Sequence, residues 1–293
     1  MSQLTATSPL LSSRISGGRR FRNRLAMVLI WLSVLVAAIP LAFVVVYLVQ
    51  KGASVVSWDF LRYDIPISAR MPGGGMGPAV LGTVLITGAA TLMAVPLGVL
   101  AAVYLNEFRG RGRLAALIRF LADVMAGVPS IVMGLFVYTI WVLQFGQSGF
   151  AGALALACLM LPIVIRSAET ALLLVPAELR EASTALGART SRTVLKVVIP
   201  AALPGLVSGS LLAIARAAGE TAPLLFTIGV VNTANPDLFG GTNTALSAQI
   251  FVNATQPFEA AIDRAWGAAL TLVGLVFLLT ALARVVARRF TAR

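Results

Sequence analysis

The sequence contains no histidine and a single cysteine, Cys158. Without histidine the chain lacks the usual catalytic base and the commonest metal ligand, so we expect neither a metal site nor a hydrolytic centre. One cysteine cannot form an internal disulfide, and Cys158 is predicted to be a packed core residue. The G-x-x-x-x-G-K-[ST] pattern is also absent, so the chain cannot cradle a nucleotide in a P-loop.

Charge is scarce as well. Only 12% of the 293 residues are charged and 58% are hydrophobic, whereas an ordinary globular domain has about 25% charged residues. This composition predicts an integral membrane protein. The formal net charge of +12 is compatible with nucleic-acid binding, but basic flanks of membrane spans are the commoner cause, and we expect no nucleic-acid partner.

Long apolar runs are plentiful. A run of about 20 apolar residues crosses the ~30 Å hydrocarbon core as a helix, and open sheets are excluded because unpaired backbone groups in lipid are costly. The sequence therefore predicts an all-α membrane protein with six transmembrane helices. They lie at residues 26–49, 79–105, 118–145, 150–175, within 199–231, and 265–283.

Basic residues fall mainly on one side of this arrangement, and cytoplasmic loops carry the excess of Lys and Arg. Both termini, the 2–3 loop and the 4–5 loop are therefore predicted to be cytoplasmic, through Arg14, Arg19, Arg20, Arg22, Arg24, Arg109, Arg111, Arg113, Arg180, Arg189, Arg192, Lys196, Arg284, Arg288, Arg289 and Arg293. The other side holds only Lys51, Arg62, Arg70 and Arg264. The first run is too long for a signal-peptide core and is predicted to be retained.

The predicted organisation follows from these spans. Residues 1–25 form a basic cytoplasmic tail, and residues 26–72 hold the first span and an outer loop. Residues 73–285 form the main transmembrane domain, with a long inner loop at 175–200, and residues 286–293 form a second basic tail. The Gly- and Pro-rich segment at 71–78 is predicted to make turns and a close chain entry into span two.

The long inner loop carries the most information. Residues 178–195 suit a short amphipathic helix, because Leu179, Ala182, Ala185 and Leu186 recur at helical spacing, and Gly187 is expected to end or bend it. An interfacial helix on lipid is one interpretation. The apolar face is built largely from alanine without an anchoring Trp or Phe, which favours docking into a protein cleft.

The same loop resembles a known family. Glu181, Ala182 and Ser183 are followed by Gly187 and then by Val197-Val198-Ile199-Pro200, which resembles the E-A-A-x3-G-x9-I-x-L-P loop of ABC-importer permeases. Ser183, Val197 and Ile199 are conservative departures. The resemblance implies a type I ABC importer permease fold and a coupling helix that docks on a separate ATPase, so the partner uses ATP and this chain binds no cofactor. The coupling residues implied are Glu178, Glu181, Ala182, Ser183, Gly187, Ile199 and Pro200.

Four further stretches resemble the phosphate-specific permeases of this family: residues 96–108, 127–136, 161–169 and 216–226. The similarity runs from about residue 73 to the end of span six. It implies a multi-pass protein of the bacterial inner membrane in contact with lipid. The implied partners are a homologous second permease, two copies of a cytoplasmic ATPase and an extracytoplasmic phosphate-binding protein.

Arg216 and Glu220 interrupt the fifth run, where a central arginine costs ~2.5–3.5 kcal/mol on insertion scales. Because they are four residues apart, the two side chains share a helix face and can neutralise each other. The run is about 50 Å long as straight helix, so we expect a break, marked by Gly219 and Pro223. Broken helices in a bundle line cavities, which favours a substrate path. The resemblance implies that Arg216 binds the oxygens of phosphate through paired hydrogen bonds. Glu220 is then expected either to hold Arg216 in place or to accept a hydrogen bond from a protonated phosphate oxygen.

Arg166 in span four is a candidate second station, with pairing to Glu169 as the alternative. Arg119 and Asp123 repeat the four-residue spacing, but Arg119 can reach the interface. An ABC permease for another oxyanion, such as sulfate or molybdate, stays open. An ion-coupled secondary transporter would also place charges in broken helices, but it would not need the inner loop.

Overall fold

The computed structural model describes residues 17–108 and 112–291, and within these ranges the regular structure is helical apart from one isolated bridge between Gly229 and Asn243. The first helices are α1 (Gly17–Ala53), α2 (Gly77–Val103), α3 (Arg113–Gly127), α4 (Ser130–Val137), α5 (Leu143–Phe145) and α6 (Gly149–Leu173). They are followed by α7 (Ala177–Ala185), α8 (Thr190–Thr193), α9 (Ile199–Ala218), α10 (Ala222–Thr227), α11 (Leu246–Ala254) and α12 (Glu259–Thr291). Short π-helical segments extend α2, join α4 to α5 and join α8 to α9, at Tyr104–Phe108, Tyr138–Val142 and Val194–Val198.

The chain divides into two units, residues 1–50 and 51–293. In the first unit, α1 contains the predicted first span and exposes its apolar side chains, for example Trp31 at 68% and Phe43 at 72%. Most of the N-terminal tail lies outside the described residues, as do Arg14, Arg109, Arg111 and Arg293, on which part of the topology prediction rests.

Small residues allow the central helices of the second unit to pack closely. α2 packs most extensively on α6, and a Cβ added at Gly98 would lie 2.6 Å from Cγ1 of Val164. Alanines fill the same seam, as is usual between membrane helices, where close backbone approach supplies the packing energy. Those almost fully buried are Ala90, Ala94 and Ala153. Cys158 on α6 is half-buried.

α9 runs antiparallel to α6. A Cβ added at Gly205 would lie 2.7 Å from Cβ of Ala171, and one at Gly209 would lie 2.3 Å from Oγ of Ser167. The two contacts are four residues apart on each helix and run in opposite order. α12 packs against α9 and α11, so α9 is enclosed by helices on more than one side.

The predicted third span, residues 118–145, is not one straight helix. α3 and the helix from Ser130 to Phe145 meet at an angle of 107°. Val128 has an extended backbone with ψ of 128° because it precedes Pro129, and a residue before proline avoids the α region. Within the described residues, five helices are long and apolar enough to cross a membrane, or six when the bent pair counts as one span.

In the glycine-rich segment before α2 the backbone turns and passes close to another stretch of backbone, as the sequence predicts. A Cβ at Gly75 would lie 2.2 Å from the carbonyl oxygen of Tyr63, and Gly74 has φ of +80°. Arg264 of α12 is 2% exposed and donates hydrogen bonds to carbonyl oxygens of this loop, those of Ala69, Met71 and Gly73. The loop is therefore held down by a buried guanidinium.

Candidate functional site

The helix break in the fifth run occupies residues 219–221, between α9 and α10. Gly219 caps α9 with φ of −90° and ψ of −6°, and Pro223 lies in the first turn of α10. These are the two residues from which the sequence predicts a break. Both backbone groups of Glu220 at the break are satisfied, because its N–H donates to the carbonyl of Ala217 and its carbonyl accepts from Oγ of Ser247, at 2.9 Å.

Neighbouring helices hold the break tightly. A Cβ added at Gly134 of α4 would lie 2.5 Å from Cα of Pro223, and one at Gly152 of α6 would lie 2.5 Å from a methyl carbon of Ile228. Ser247 belongs to α11, a short buried helix that the sequence analysis does not predict. The break is therefore an ordered part of the packed unit.

Arg216 lies near mid-depth of the bundle. If the register of Gly205 with Ala171 and Gly209 with Ser167 continues for about two turns, Arg216 is level with Met160. Met160 is eleven residues from Gly149, the start of α6, or about 16 Å of helix. Arg216 is thus too deep for its side chain to reach the interface easily.

The Arg216 side chain is 69% exposed, whereas that of Glu220 is 20% exposed. Nε of Arg216 lies 3.6 Å from Oε1 of Glu220, which is an ion pair but longer than a hydrogen bond. Within the described residues, the guanidinium donates no hydrogen bond to another side chain or carbonyl. The edge formed by its two Nη groups remains able to bind an anion through paired hydrogen bonds.

Arg166 is held by two carboxylates. Its Nη1 lies 3.2 Å from Oε2 of Glu169, and its Nη2 pairs with Asp123 of α3. Oε1 of Glu169 also accepts from Nε of Arg119, at 2.9 Å. The pairing with Glu169 that the sequence allows as an alternative is present, whereas Arg119 and Asp123 do not pair with each other. Both side chains face α6, where Arg119 pairs with Glu169 and Asp123 pairs with Arg166.

The predicted helix at residues 178–195 is two helices, α7 and α8. They are joined at Gly187, which has φ of +79°, and Ala188 N–H donates to the carbonyl of Ser183. On α7 the outward side is exposed, including Glu178, Leu179, Glu181 and Ala182, and Leu186 after it is 89% exposed. Ile199 is half-buried and Pro200 is exposed.

Ser183 and Arg180 lie on the inward side of α7. Oγ of Ser183 is 2.9 Å from Oγ1 of Thr193, so Ser183 contacts the chain's own α8. Arg180 pairs with Glu107 at 2.8 Å, and the sequence does not predict this pair. The available signal is that Glu107 is a glutamate at the end of a long apolar run.

The model of the family described as "Binding-protein-dependent transport system inner membrane component" matches residues 94–292, which include the inner loop and the helix break. The chain is 43% identical over 291 residues, 96% of this chain and 94% of the relative, to "Phosphate transport system permease protein PstA 1" of Mycobacterium tuberculosis (strain CDC 1551 / Oshkosh). It is 40% identical over 257 residues, 86% of this chain and 89% of the relative, to "Phosphate transport system permease protein PstA" of Haemophilus influenzae.

Among solved structures, the fold is similar to a chain of the inward-facing MetNI methionine ABC transporter. The TM-score is 0.59 at 22% sequence identity, and the match covers 74% of this chain and 94% of that chain. At this identity the likeness concerns the fold alone.

Proposed function

The chain belongs to the family of inner-membrane components of binding-protein-dependent transport systems, and on that premise we propose that it is the permease subunit of an ATP-driven importer of inorganic phosphate. It is a multi-pass membrane permease of the ABC importer type, and this type works with a partner permease, an ATPase and a binding protein. The proposal of phosphate rests on the relatives named as phosphate permeases. The observation that carries the mechanism is the exposed, mid-depth Arg216 beside a helix break.

Exposure of the charged Arg216 side chain to lipid would be energetically costly. An arginine at the centre of a bilayer costs ~2.5–3.5 kcal/mol or more, and such residues nearly always face a bundle interior or a water-filled cavity. In this chain alone the side chain is 69% exposed, so a second permease is needed to enclose it. Phosphate oxygens would then accept from the guanidinium in a fork.

We expect Glu220 to orient Arg216 and to distinguish protonated from unprotonated substrate. Its carboxylate lies 3.6 Å from the guanidinium, close enough for one phosphate to contact both. A protonated phosphate oxygen can donate to a carboxylate, whereas sulfate has no such proton at neutral pH. Arg166 has two carboxylate partners, so phosphate must compete with them to bind there, and Arg216 is the stronger candidate for the path.

The end of the bundle that carries α7 is proposed to face the cytoplasm of a bacterial cell, with both termini on that side. Arg113, Arg180, Arg189, Arg192 and Lys196 all lie at that end, as cytoplasmic flanks require. There the exposed side of α7, with Glu178 and Glu181, would dock on the ATPase. The ATPase would hydrolyse ATP, and this chain would bind no cofactor and perform no covalent chemistry.

The specific partners follow from the phosphate assignment. They are a PstC-like homologous permease, two copies of a PstB-like ATPase and a PstS-like extracytoplasmic binding protein. ATP binding by the ATPase would move α7, and rigid-body rocking of the helices would switch access from outside to inside.

Uptake of radiolabelled phosphate into proteoliposomes that contain the purified complex tests this proposal. We expect uptake that requires ATP and the loaded binding protein and that excess sulfate does not inhibit. The Arg216→Gln variant should assemble normally and lose most phosphate uptake, because the amide keeps polarity but removes the charge. Uptake equal to the original complex in an assembled Arg216→Gln variant would exclude Arg216 from the path, and inhibition by sulfate would assign the importer to another oxyanion.

A further inference from the structure

Apart from its short backbone connections to α6 and α8, α7 is attached to the rest of the protein by polar contacts. None of its nine residues is buried. A cavity of about 450 Å³ lies beside it, lined in part by Leu173, Thr184 and Thr190. A helix without buried side chains cannot push on its neighbours through interlocked apolar packing, so a force on α7 passes through the short backbone connections to α6 and α8 and through its few hydrogen-bonded contacts.

Arg180 makes the strongest of these contacts. Nη2 donates to Oε1 of Glu107 at 2.8 Å, and Nε lies 3.3 Å from both carboxylate oxygens. Nη1 and Nη2 also donate to the carbonyls of Val175 and Leu172, at 2.7 and 2.9 Å. One guanidinium therefore joins three segments, which are α7, the C-terminal end of α6 and the π-helical end of α2.

The contacts between Arg180 and Glu107 fix the orientation of the two side chains as well as the distance between them. The Glu107 side chain is 8% exposed and that of Arg180 is 27% exposed, so water competes little for the carboxylate. A fork of several N–H···O bonds resists rotation and sliding, which a single contact does not. Glu107 lies in Tyr104–Phe108, and π-helical turns inside helices often mark functional positions.

The π-helical segment continues the connection into the membrane part. Nδ2 of Asn106 donates to the carbonyl of Glu169, at 3.1 Å, and the carboxylate of Glu169 holds Arg119 and Arg166. A displacement of Arg180 is thus passed through adjacent residues of the π-helical segment to the last turns of α6. On its other side α7 is linked only through Ser183 to Thr193, among the side-chain hydrogen bonds of the described residues.

We propose that the Glu107–Arg180 pair is the joint through which movement of α7 is transmitted to α2 and α6. The two are positioning residues and do not touch substrate. The inference rests on the proposed function, since it assigns the step between the ATPase and the transport path. It also predicts a specific failure, in which ATP is hydrolysed but phosphate does not move.

The test measures phosphate transported per ATP hydrolysed by the whole reconstituted complex. We expect Glu107→Gln and Arg180→Lys to lower this ratio by about tenfold, because each leaves a charged group with weakened or missing partners, while ATP hydrolysis continues. Arg180→Lys keeps the charge, so a loss in this variant identifies the fork as the cause.

Arg113→Gln is the matched control. Arg113 is an exposed arginine at the same end of the bundle, and its loss removes an equal charge without touching Glu107, so its ratio should equal that of the unaltered complex. A normal ratio in both Glu107→Gln and Arg180→Lys would overturn the joint. If the unaltered complex moves no phosphate but retains ATP hydrolysis that the binding protein stimulates, the substrate assignment fails, and the joint is then judged by that stimulation.

A distance measured between α7 and the segment that holds Glu107 tests the proposal without requiring transport activity, so it also applies to variants that assemble poorly. Spin labels at Ala177→Cys on α7 and Phe108→Cys beside Glu107, in a Cys158→Ala background, report the separation across the joint. We expect one narrow distance that is the same with and without ATP, and a broadened distribution when Glu107→Gln is added. A separation that changes with ATP while Glu107 is intact would overturn the proposal.

Discussion

Gly187 provides the sharpest test of the proposed coupling role of the inner loop, because a substitution there changes only the backbone conformation. Its φ is +79°, and a Cβ added there would meet no atom within 4 Å. Alanine at this position is therefore not excluded by a clash. It is penalised only by the left-handed conformation, which costs a non-glycine residue roughly 1–2 kcal/mol.

This penalty sets a measurable magnitude. A cost of about 1–2 kcal/mol raises the population of the opened turn by about 5–30-fold. We expect Gly187→Ala to speed hydrogen exchange of the amides of Gly187 and Ala188 by that factor, since these donate to Thr184 and Ser183 in the closed turn. Gly187→Asn should have a smaller effect, because asparagine tolerates this conformation better. The ratio of phosphate moved to ATP hydrolysed should fall in the same order.

Gly88 on α2 supplies the matched control. It is exposed, also has no atom within 4 Å of an added Cβ, and has no positive φ. Gly88→Ala should therefore stabilise the helix by about 0.5–1 kcal/mol and leave coupling unchanged. Unaltered exchange and coupling in Gly187→Ala, in a complex that is inserted and assembled normally, would refute the role given to this turn.

Three further predictions concern the opposite end of the bundle and the break. Gly134→Ala should destabilise the protein by about 1–3 kcal/mol, seen as a lower midpoint of thermal unfolding in detergent, because the added Cβ would lie 2.5 Å from Cα of Pro223; an unchanged midpoint would show that α4 yields freely. Arg264→Met should expose residues 69–73 to limited proteolysis, since three carbonyls of this loop lose their charged donor, and unchanged cleavage would show that other contacts hold the loop. Glu220→Gln should let sulfate compete with phosphate uptake, and continued rejection of sulfate would leave Glu220 with the orienting role alone.

The inner loop shows how far local sequence patterns extend. Its helix, the turn at Gly187 and the outward side of α7 are properties of neighbouring residues, so spacing and residue type are enough to predict them. The close chain entry at the glycine-rich segment is predictable for the same reason, because glycine is needed where backbones meet. The bend at Pro129 was marked by the proline, but the hydrophobic pattern alone predicts a continuous span there.

Charge pairing could not be predicted in this way. The four-residue spacing suggested that Arg119 and Asp123 would pair with each other. Instead Arg119 contacts Glu169, 50 residues away, and Asp123 contacts Arg166, 43 residues away. Glu107 and Arg180 are 73 residues apart, and no periodicity relates them. α11 is short and buried, and its polar residues Gln249 and Asn253 hide it from a search for apolar runs.

Composition, helical period and the conformational limits of glycine and proline act over a few residues, so the sequence alone predicts a membrane-spanning bundle, a short amphipathic helix with a turn at Gly187 in the inner loop, and a break in the charged fifth run. Only the tertiary structure decided which charges are engaged and which one is exposed at mid-depth. Ion pairs form over about 3–4 Å, and the packing of α2, α3, α6, α7 and α9 alone brings residues so distant in the chain within that range.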